Sequence, residues 1–549
     1  MANKNVLLIE PGYKNKYPPL GLMKIAAYHG PNGKQDHVRF IKGEDSSVFS
    51  IAWDRIYVTT LFSFEFCKIA QTIDFALKVA NGHADRVFVG GIAASLMPEQ
   101  FVAVPRWHGI RFIKGLLSEA PAISLQLDAF SEELYSEDLT GIPIEDLIPD
   151  YGILDHVNYE YPVRDAYFAY ASRGCIRKCS FCGVPKLEGA QRDTESITAL
   201  VHAIEERHGT KKDLILMDNN VTASERFKEI IAEIRDLGFV RDAKLVRGRV
   251  PVQRRVDFNQ GVDARILCKD PMYLRELSSI CLSPLRIAFD HLGLKQPYER
   301  AIRYAHEFGL KSMSNYMLYN FHDNPADLFE RMRLNVTLNE ELGLRIWSFP
   351  MRFQPTNLPH RTHVGEKWTR YQLRSMQIIL QATHGVVSGD PDFFKRAFGD
   401  TYQQFEALLW RPHHYIFNRD WYEKYGGIAE LAEYEKLTSK LTPIEQDELH
   451  SLLRDVDPRE IASQRKHAKS ARVKAILHHH LPLSKETEAM LWERQRELKN
   501  MLGDPRIAVP DDERVEDAGL TGEESEMEPP SSKMGVRNKK IDMRRLVHA

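Results

Sequence analysis

The sequence predicts an α/β chain in three parts: a doubly wound amino-terminal domain, a longer parallel βα unit, and a helical carboxyl-terminal region. Three observations predict it. Short apolar runs rich in Val, Ile and aromatics alternate with helix-compatible stretches at the start of the chain. The alternation resumes, longer, from Ala166, and beyond about residue 400 it gives way to polar helical segments.

In the amino-terminal part, "NVLLIEP" (5–11), "DRIYVTTLF" (54–62) and "DRVFVGGI" (85–92) read as buried strands. Between them, "LGLMKIAAYH" (20–29) and "CKIAQTIDFALKVANG" (67–82) read as helices. Doubly wound sheets bind ligands past the carboxyl ends of their strands, which here carry Glu10-Pro11-Gly12, Thr59-Thr60 and Gly90-Gly91. The glycines serve equally well as simple turns. Residues 1–131 are assigned to this domain and 132–165 to a connector.

Six further strands are expected: 166–173, 213–219, 254–261, 285–290, 314–321 and 345–353. Most are separated by helical segments such as "SITALVHAIEERHG", so residues 166–400 form a large open parallel sheet or a partial barrel. The carboxyl-terminal region, 401–503, carries "LTPIEQDELHSLL", with Thr442 as cap, Pro443 in the first turn and Glu445 closing a capping box. "RQRELKNML" (494–502) is expected as its last helix. The tail 504–549 is charged, contains Pro, Ser and Gly, and is expected to be disordered.

Composition narrows the function classes. A hydrophobic fraction of 43% with 27% charged residues is that of a globular protein. The net charge of −2 leaves nucleic-acid binding to local patches. One such patch is the basic stretch 454–475, which reads more simply as a solvated helix face. The amino-terminal sequence lacks the apolar core of a signal peptide, and no apolar run is long enough to span a membrane. Six cysteines, three of them clustered, make no disulfide framework and predict a reducing, cytoplasmic setting. The aromatic segment 411–427 is expected as a packed core seam, and the histidines at 478–480 as surface.

The cluster is "SRGCIRKCSFCG": Cys175, Cys179 and Cys182 lie within eight positions, just past the end of the first strand of the second unit. Zinc accepts such spacing but needs a fourth ligand from elsewhere, which would suit a zinc-stabilised binding protein. An iron–sulfur cluster held by three thiolates leaves one iron open to an outside ligand.

This stretch resembles the C-x3-C-x-aromatic-C signature of the radical S-adenosylmethionine (SAM) enzymes, with Phe181 in the aromatic place. The resemblance runs from residue 166 to about 355 and implies a partial (β/α)6 barrel. By it, Cys175, Cys179 and Cys182 hold a 4Fe–4S cluster whose fourth iron is chelated by SAM. One electron then yields methionine and a 5′-deoxyadenosyl radical that takes hydrogen from a substrate. An external flavodoxin- or ferredoxin-like electron donor is implied as partner. Asp218, Asn219 and Asn220 stand where the family contacts the SAM amino group, although the usual Gly-Gly-Glu is absent. Asn259, Gln260 and Asp263 are pocket candidates on the third strand, His291 on the fourth, and Arg352 and Gln354 on the sixth; Arg265 is expected on the helix beyond, pairing a surface acid. No adenine-contacting residue is assigned on the fifth strand.

"YPPLGLMKIAAY" followed by "VFVGGIAAS" resembles the flavodoxin/cobalamin-binding-like domain of cobalamin-dependent radical SAM enzymes. The Asp-x-His-x-x-Gly motif that supplies a histidine to cobalt is missing, so cobalamin is an open expectation beside a cobalamin-independent oxidoreductase. A methylthiotransferase is set aside, because its amino-terminal domain needs three cysteines and this one holds only Cys67.

Overall fold

The computed structural model describes residues 3–117, 141–383 and 385–502. The expected tail, 504–549, and the first part of the connector, 132–140, lie outside the described residues. The chain divides into two compact units: Met1–Trp368 with Val386–Arg396, and Thr369–Gly385 with Ala397–Ala549.

The first unit begins with a five-stranded sheet. Its strands are β1 (Asn5–Glu10), β2 (His37–Lys42), β3 (Arg55–Thr59), β4 (Val87–Gly90) and β5 (Arg111–Phe112). All pairings are parallel, in the order β2-β1-β3-β4-β5. That is a doubly wound order with its reversal between β1 and β3. The helices Leu20–His29 and Phe66–Val79 fall where the sequence placed them. Strand β2 escaped the sequence reading for a physical reason. It pairs only with β1 at the sheet edge, and of "HVRFIK" only Phe40 and Ile41 are buried, so its apolar signal is thin.

The rest of the first unit carries β6 (Ala166–Ala169), β7 (Ser172–Arg173), β8 (Arg192–Asp193), β9 (Asp213–Leu216), β10 (Lys244–Arg247), β11 (Val250–Gln253), β12 (Val256–Asp257), β13 (Leu285–Arg286), β14 (Ser312–Tyr319) and β15 (Arg345–Arg352). Strands β6, β9 and β12 form one parallel sheet, and β13, β14 and β15 another. Parallel bridges Val256↔Leu282 and Val262↔Ile287 join the two. The result is six parallel strands in chain order, each near one of the six expected segments. The antiparallel β10–β11 hairpin was not foreseen. Val246 and Val250 on it are 71% exposed, so no buried face imprints a period on its sequence.

The second unit is helical. Its core gathers Tyr371, Trp410, Tyr415, Tyr422, Tyr434, Leu453, Val473 and Leu477, which makes 411–427 the packed seam expected of it. Helix Arg370–Ala382 groups with this unit rather than with the strands before it, because Tyr371 packs into that core. The capping box is present: Thr442 N donates to Glu445 Oε2 at 3.0 Å and Glu445 N to Thr442 Oγ1 at 3.3 Å. In the basic stretch, Arg459 pairs with Asp457 and Arg472 with Glu445, while Ile461 and Val473 face inward. One expectation is corrected. Of the triple histidine only His478 is exposed: His480 is buried with its Nδ1 2.8 Å from Tyr371 OH, and the half-buried His479 has its Nδ1 2.7 Å from Tyr415 OH. Tyrosines distant in sequence supply those partners.

Burial pushes the histidines of this unit down, His413 to about 3 and His414 and His450 to about 4. A histidine held below its unfolded value of about 6.5 stabilises the fold as neutral imidazole above that pH. The contribution is lost as pH falls toward 4, by up to about 1.4 kcal/mol per pH unit for each group. Acidification from pH 7 to 4.5 is therefore expected to lower the unit's melting temperature steeply. His450→Phe, which keeps a flat ring on Trp410 (4.0 Å between centroids), should flatten that dependence by one proton.

Candidate functional site

The three clustered cysteines occupy an excursion of the chain with a closed neck. Strand β6 ends at Ala169, and β7 pairs antiparallel with β8 through Ser172↔Asp193 and Arg173↔Arg192. Residues 174–191 loop out from that pairing. Gly174 starts the loop at φ +73°, where a Cβ would lie 2.2 Å from Ala190 O, so only glycine fits. Inside it, Cys182 N donates to Cys179 O at 3.1 Å and Cys175 N to Gly189 O at 3.4 Å. Helix Val184–Leu187 completes the loop, with Pro185 in its first turn.

Two of the sulfurs receive backbone amides: Arg177 N–H donates to Cys175 Sγ and Val184 N–H to Cys182 Sγ, both at 3.4 Å. Burial pushes the Cys179 and Cys182 thiols above their ordinary value, with the Asp290 charge adding to the rise at Cys179.

Side chains from several strand ends pin the loop. Phe181 meets Phe321, past β14, edge to face at 5.7 Å, and Phe321 packs on Phe353, past β15, at 4.6 Å. Lys186 Nζ donates to Thr356 Oγ1 at 3.2 Å. Arg177 Nε donates to Asp263 Oδ2 at 2.7 Å, while Arg265 binds Asp263 Oδ1 through its Nε at 2.8 Å and its backbone N at 2.9 Å. Arg265 thus lies on the helix beyond, as expected, but the acid it pairs is the buried Asp263 rather than a surface one. Burial pushes Asp263 up, but the hydrogen bonds from Arg265 and Arg177 outweigh it and hold the carboxyl low.

The remaining expected residues fall as follows. Asp218 is fully enclosed: its carboxylate accepts from Ala171 N (2.9 Å), Ser172 N (2.5 Å) and Ser172 Oγ (2.7 Å), and burial raises it to about 6. Asn219 Nδ2 donates to Glu188 Oε2 at 2.9 Å. Asn220 is buried and accepts from Thr222 Oγ1 at 2.9 Å. Asn259 sits in the left-handed region at φ +48°, buried, with its N–H on Asp257 Oδ1 at 2.8 Å; Gln260 beside it is exposed. Burial, with the charges of Arg265 and Arg331, lowers His291. Both amide atoms of Gln354 are buried without a protein partner, whereas Arg352 donates to His363 O at 3.1 Å. The neighbouring Asp290 is raised to about 6 by burial.

The strand ends of the amino-terminal sheet reach the same region. Tyr17, in the loop after β1, lies 6.1 Å from Phe168 of β6. Arg361, past β15, sits 4.1 Å over the ring of Phe64, past β3. Helix Ile92–Leu96 packs on helix Val184–Leu187 of the cysteine loop, with Leu96 Cδ1 only 2.9 Å from where a Cβ on Gly183 would be. Gly91 at φ +107° leads into that helix, and Thr60 O lies 2.6 Å from where its Cβ would stand.

No family model matches the chain. Two curated proteins resemble it. An uncharacterized methyltransferase of Synechocystis is 24% identical over 309 residues, covering 54% of this chain and 51% of that protein. The ribosomal protein uS12 methylthiotransferase RimO of Christiangramia forsetii is 27% identical over 159 residues, covering 28% of this chain and 30% of that one. The chain thus spans about half the length of the first relative and less than a third of the second. Among solved structures, the radical SAM methyltransferase TsrM from Kitasatospora setae, with cobalamin and a 4Fe–4S cluster bound, overlaps 65% of this chain and 77% of its own, with 16% identity and a TM-score of 0.43. The cobalamin-dependent SAM radical enzyme OxsB overlaps 94% of this chain and 82% of its own, with 13% identity and a TM-score of 0.43. Both solved structures are named as radical SAM enzymes, the family that the cysteine motif resembles.

Both curated relatives are transferases by name. The donor set of the loop fits the radical SAM cluster in kind: three thiols on one short loop, two of them already receiving amides, are what a three-thiolate iron–sulfur site requires. Among the described residues, no group of three or more Cys, His, Asp or Glu converges as the ligands of a single ion would. No helix among the described residues is long and apolar enough to cross a membrane.

Sequence reasoning passed over Glu188, Glu145 and Lys24, which connect to this loop. One signal was available, since Lys24 is the lone lysine in the otherwise apolar run "LGLMKIAA". Replacing Asp218 with alanine would strand the three donors it receives. It should cost about 2–4 kcal/mol of stability, read by denaturant unfolding of the first unit.

Proposed function

We propose that the chain is a radical SAM enzyme that binds a 4Fe–4S cluster through Cys175, Cys179 and Cys182. It would use the cluster to cleave SAM and remove hydrogen from its substrate, as one step of a methyl transfer. The observation that carries this reading is the loop 174–191, which presents three thiols from a closed neck at the carboxyl ends of six parallel strands read as a partial (β/α)6 barrel. When bound, the cluster would supply the single electron that splits SAM into methionine and a 5′-deoxyadenosyl radical. A flavodoxin- or ferredoxin-like protein is the expected electron source.

The chain's own residues do the rest. The amides of Arg177 and Val184 donate to two cysteine sulfurs, and the Val184 amide opposes the rise that burial imposes on Cys182. Phe181, Phe321 and Phe353 form an apolar wall on one side of the loop and keep water from it. Asp290, poised near 6, can hold or release a proton near neutral pH, whereas His291, lowered by burial, is a neutral acceptor rather than an acid. Asp218 and Asn219, expected at the SAM amino group, have their polar atoms engaged by Ser172 and Glu188, so Asn219 could serve SAM only through its remaining amide oxygen.

The methyltransferase names of the relatives support cobalamin-dependent methyl transfer. A second reading, hydrogen abstraction without cobalamin, is favoured by the crevice between β1 and β3. There Tyr13, 2% exposed, packs edge to face on Phe62 at 5.1 Å. The strand-end loops 11–19, 60–65 and 91–97 also contain no histidine to offer cobalt.

Anaerobically reconstituted protein is expected to be brown, with about four iron and four sulfide per chain, and to form 5′-deoxyadenosine from SAM under reduction. Alanine at Cys175, Cys179 or Cys182 should remove both colour and cleavage, while Cys67→Ala should leave both intact. Colourless wild-type protein rich in zinc would refute the assignment. For cobalamin, the visible spectrum after reconstitution decides, and retention of the cofactor is the result expected for the methyl-transfer reading.

A further inference from the structure

A chain of buried charges runs from the amino-terminal domain to the first cysteine. Lys24, on the helix Leu20–His29, reaches Glu145 Oε1 at 3.2 Å. The same oxygen is bonded by Arg173 Nη2, and Arg173 Nη1 lies 3.2 Å from Glu188 Oε1. The other oxygen of Glu188 accepts from Gly174 N at 2.9 Å and from Asn219 Nδ2 at 2.9 Å. The side chains are 8% (Lys24), 16% (Glu145), 8% (Arg173) and 10% (Glu188) exposed, so the four charges alternate in sign away from water. Tyr170 floors the row, with Arg173 stacked 3.4 Å over its ring and Lys24 at 5.8 Å.

Buried ion pairs of this sort add little net stability compared with apolar packing, yet removing one partner leaves the other charge stranded. Their best-attested use is to fix one arrangement against its alternatives. Here the group fixed is a backbone amide. Gly174 has no side chain to lock it and stands at φ +73° against Ala190 O, and the amide that Glu188 grips immediately precedes Cys175. Burial and the Arg173 charge lower Lys24 to about 7, an effect the Asp146 charge opposes.

We propose that Lys24, Glu145, Arg173 and Glu188 form a positioning relay that holds the Gly174 amide, and through it Cys175, in register with the amino-terminal domain. The relay rests on the cluster assignment above. None of the four touches the cluster ligands' sulfurs; they act through the peptide before Cys175 and through Asn219.

The test uses full-length protein with reconstituted cluster and three variants: Glu188→Ala, Glu188→Gln and Lys24→Met. Readouts are loss of iron to a chelator, the electron paramagnetic resonance line shape and midpoint potential of the cluster, and the melting temperature. Glu188→Ala should lose iron about ten-fold faster than wild type, the scale seen when groups that orient metal ligands are removed. Glu188→Gln, which still offers an oxygen to Gly174 N–H, should recover part of that loss. Lys24→Met, in the other domain, should shift the line shape and potential in the same direction by a smaller amount. Wild-type line shape, potential and iron loss in both Lys24→Met and Glu188→Ala would overturn the relay, whatever happens to the melting temperature. Failure of the near-isosteric Lys24→Met and Glu188→Gln to fold would overturn it too, by making the row purely structural. Wild-type protein that takes up no cluster would instead sink the cluster assignment, so the two failures are distinct.

Discussion

The arrangement around the cysteines depends on one buried carboxylate. Between the end of β6 at Ala169 and the start of β7 at Ser172 the chain must leave its sheet, and the amides of Ala171 and Ser172 lose their ladder partners there. Asp218, at the end of the neighbouring strand β9, accepts both amides and the Ser172 hydroxyl. Enclosure without hydrogen bonds would cost a carboxylate several kcal/mol. With three donors the same enclosure becomes a rigid corner. The neck of β7 and β8 starts at that corner, and residues 174–191 loop out from that neck. Asp218 is therefore best understood as the support of the site rather than as one of its ligands.

The framework of this site was legible in the sequence because parallel strands covered on both faces write long apolar runs, as in "DLILMDN" and "RIWSFPMRF". The cysteine spacing was legible because its ligands are local. Side-chain partnerships were not. Asn219 engages Glu188, Asp218 engages Ser172 and Arg177 engages Asp263, over separations of 31, 46 and 86 residues. Strand-end position alone suggested that Asp218 and Asn219 face a ligand, yet strand-end polar groups must also satisfy the loops that leave the sheet, and here they do. His480 teaches the same lesson in the helical unit, where a polar tract becomes core once Tyr371 arrives from 109 residues away.

Electrostatics around the loop are balanced rather than one-signed. Asp263 and Asp290 face Arg177, Arg265 and Arg331, and Glu188 faces Arg173. A thiol loop that must give up protons to bind metal gains from nearby amides and cations, and loses from burial and carboxylates. Both influences are present: burial and Asp290 raise Cys179, while the Val184 amide opposes the rise at Cys182.

The amino-terminal domain completes this argument. If it were only a lid, an apolar seam against the strands behind it would suffice. Instead it meets the cysteine loop at Leu96 on Gly183 and reaches toward Cys175 through Lys24 and the charges behind it, while Phe64 lies beneath Arg361 past β15. Gly183 has no side chain because Leu96 occupies its place, so the two domains are fitted to each other at the loop itself. A helix packed on the cysteine loop at Gly183 constrains the geometry that loop can adopt. The strand-end loops 11–19, 60–65 and 91–97 carry Tyr13, Thr60 and Gly91 and no histidine, so they offer no imidazole bond to a metal.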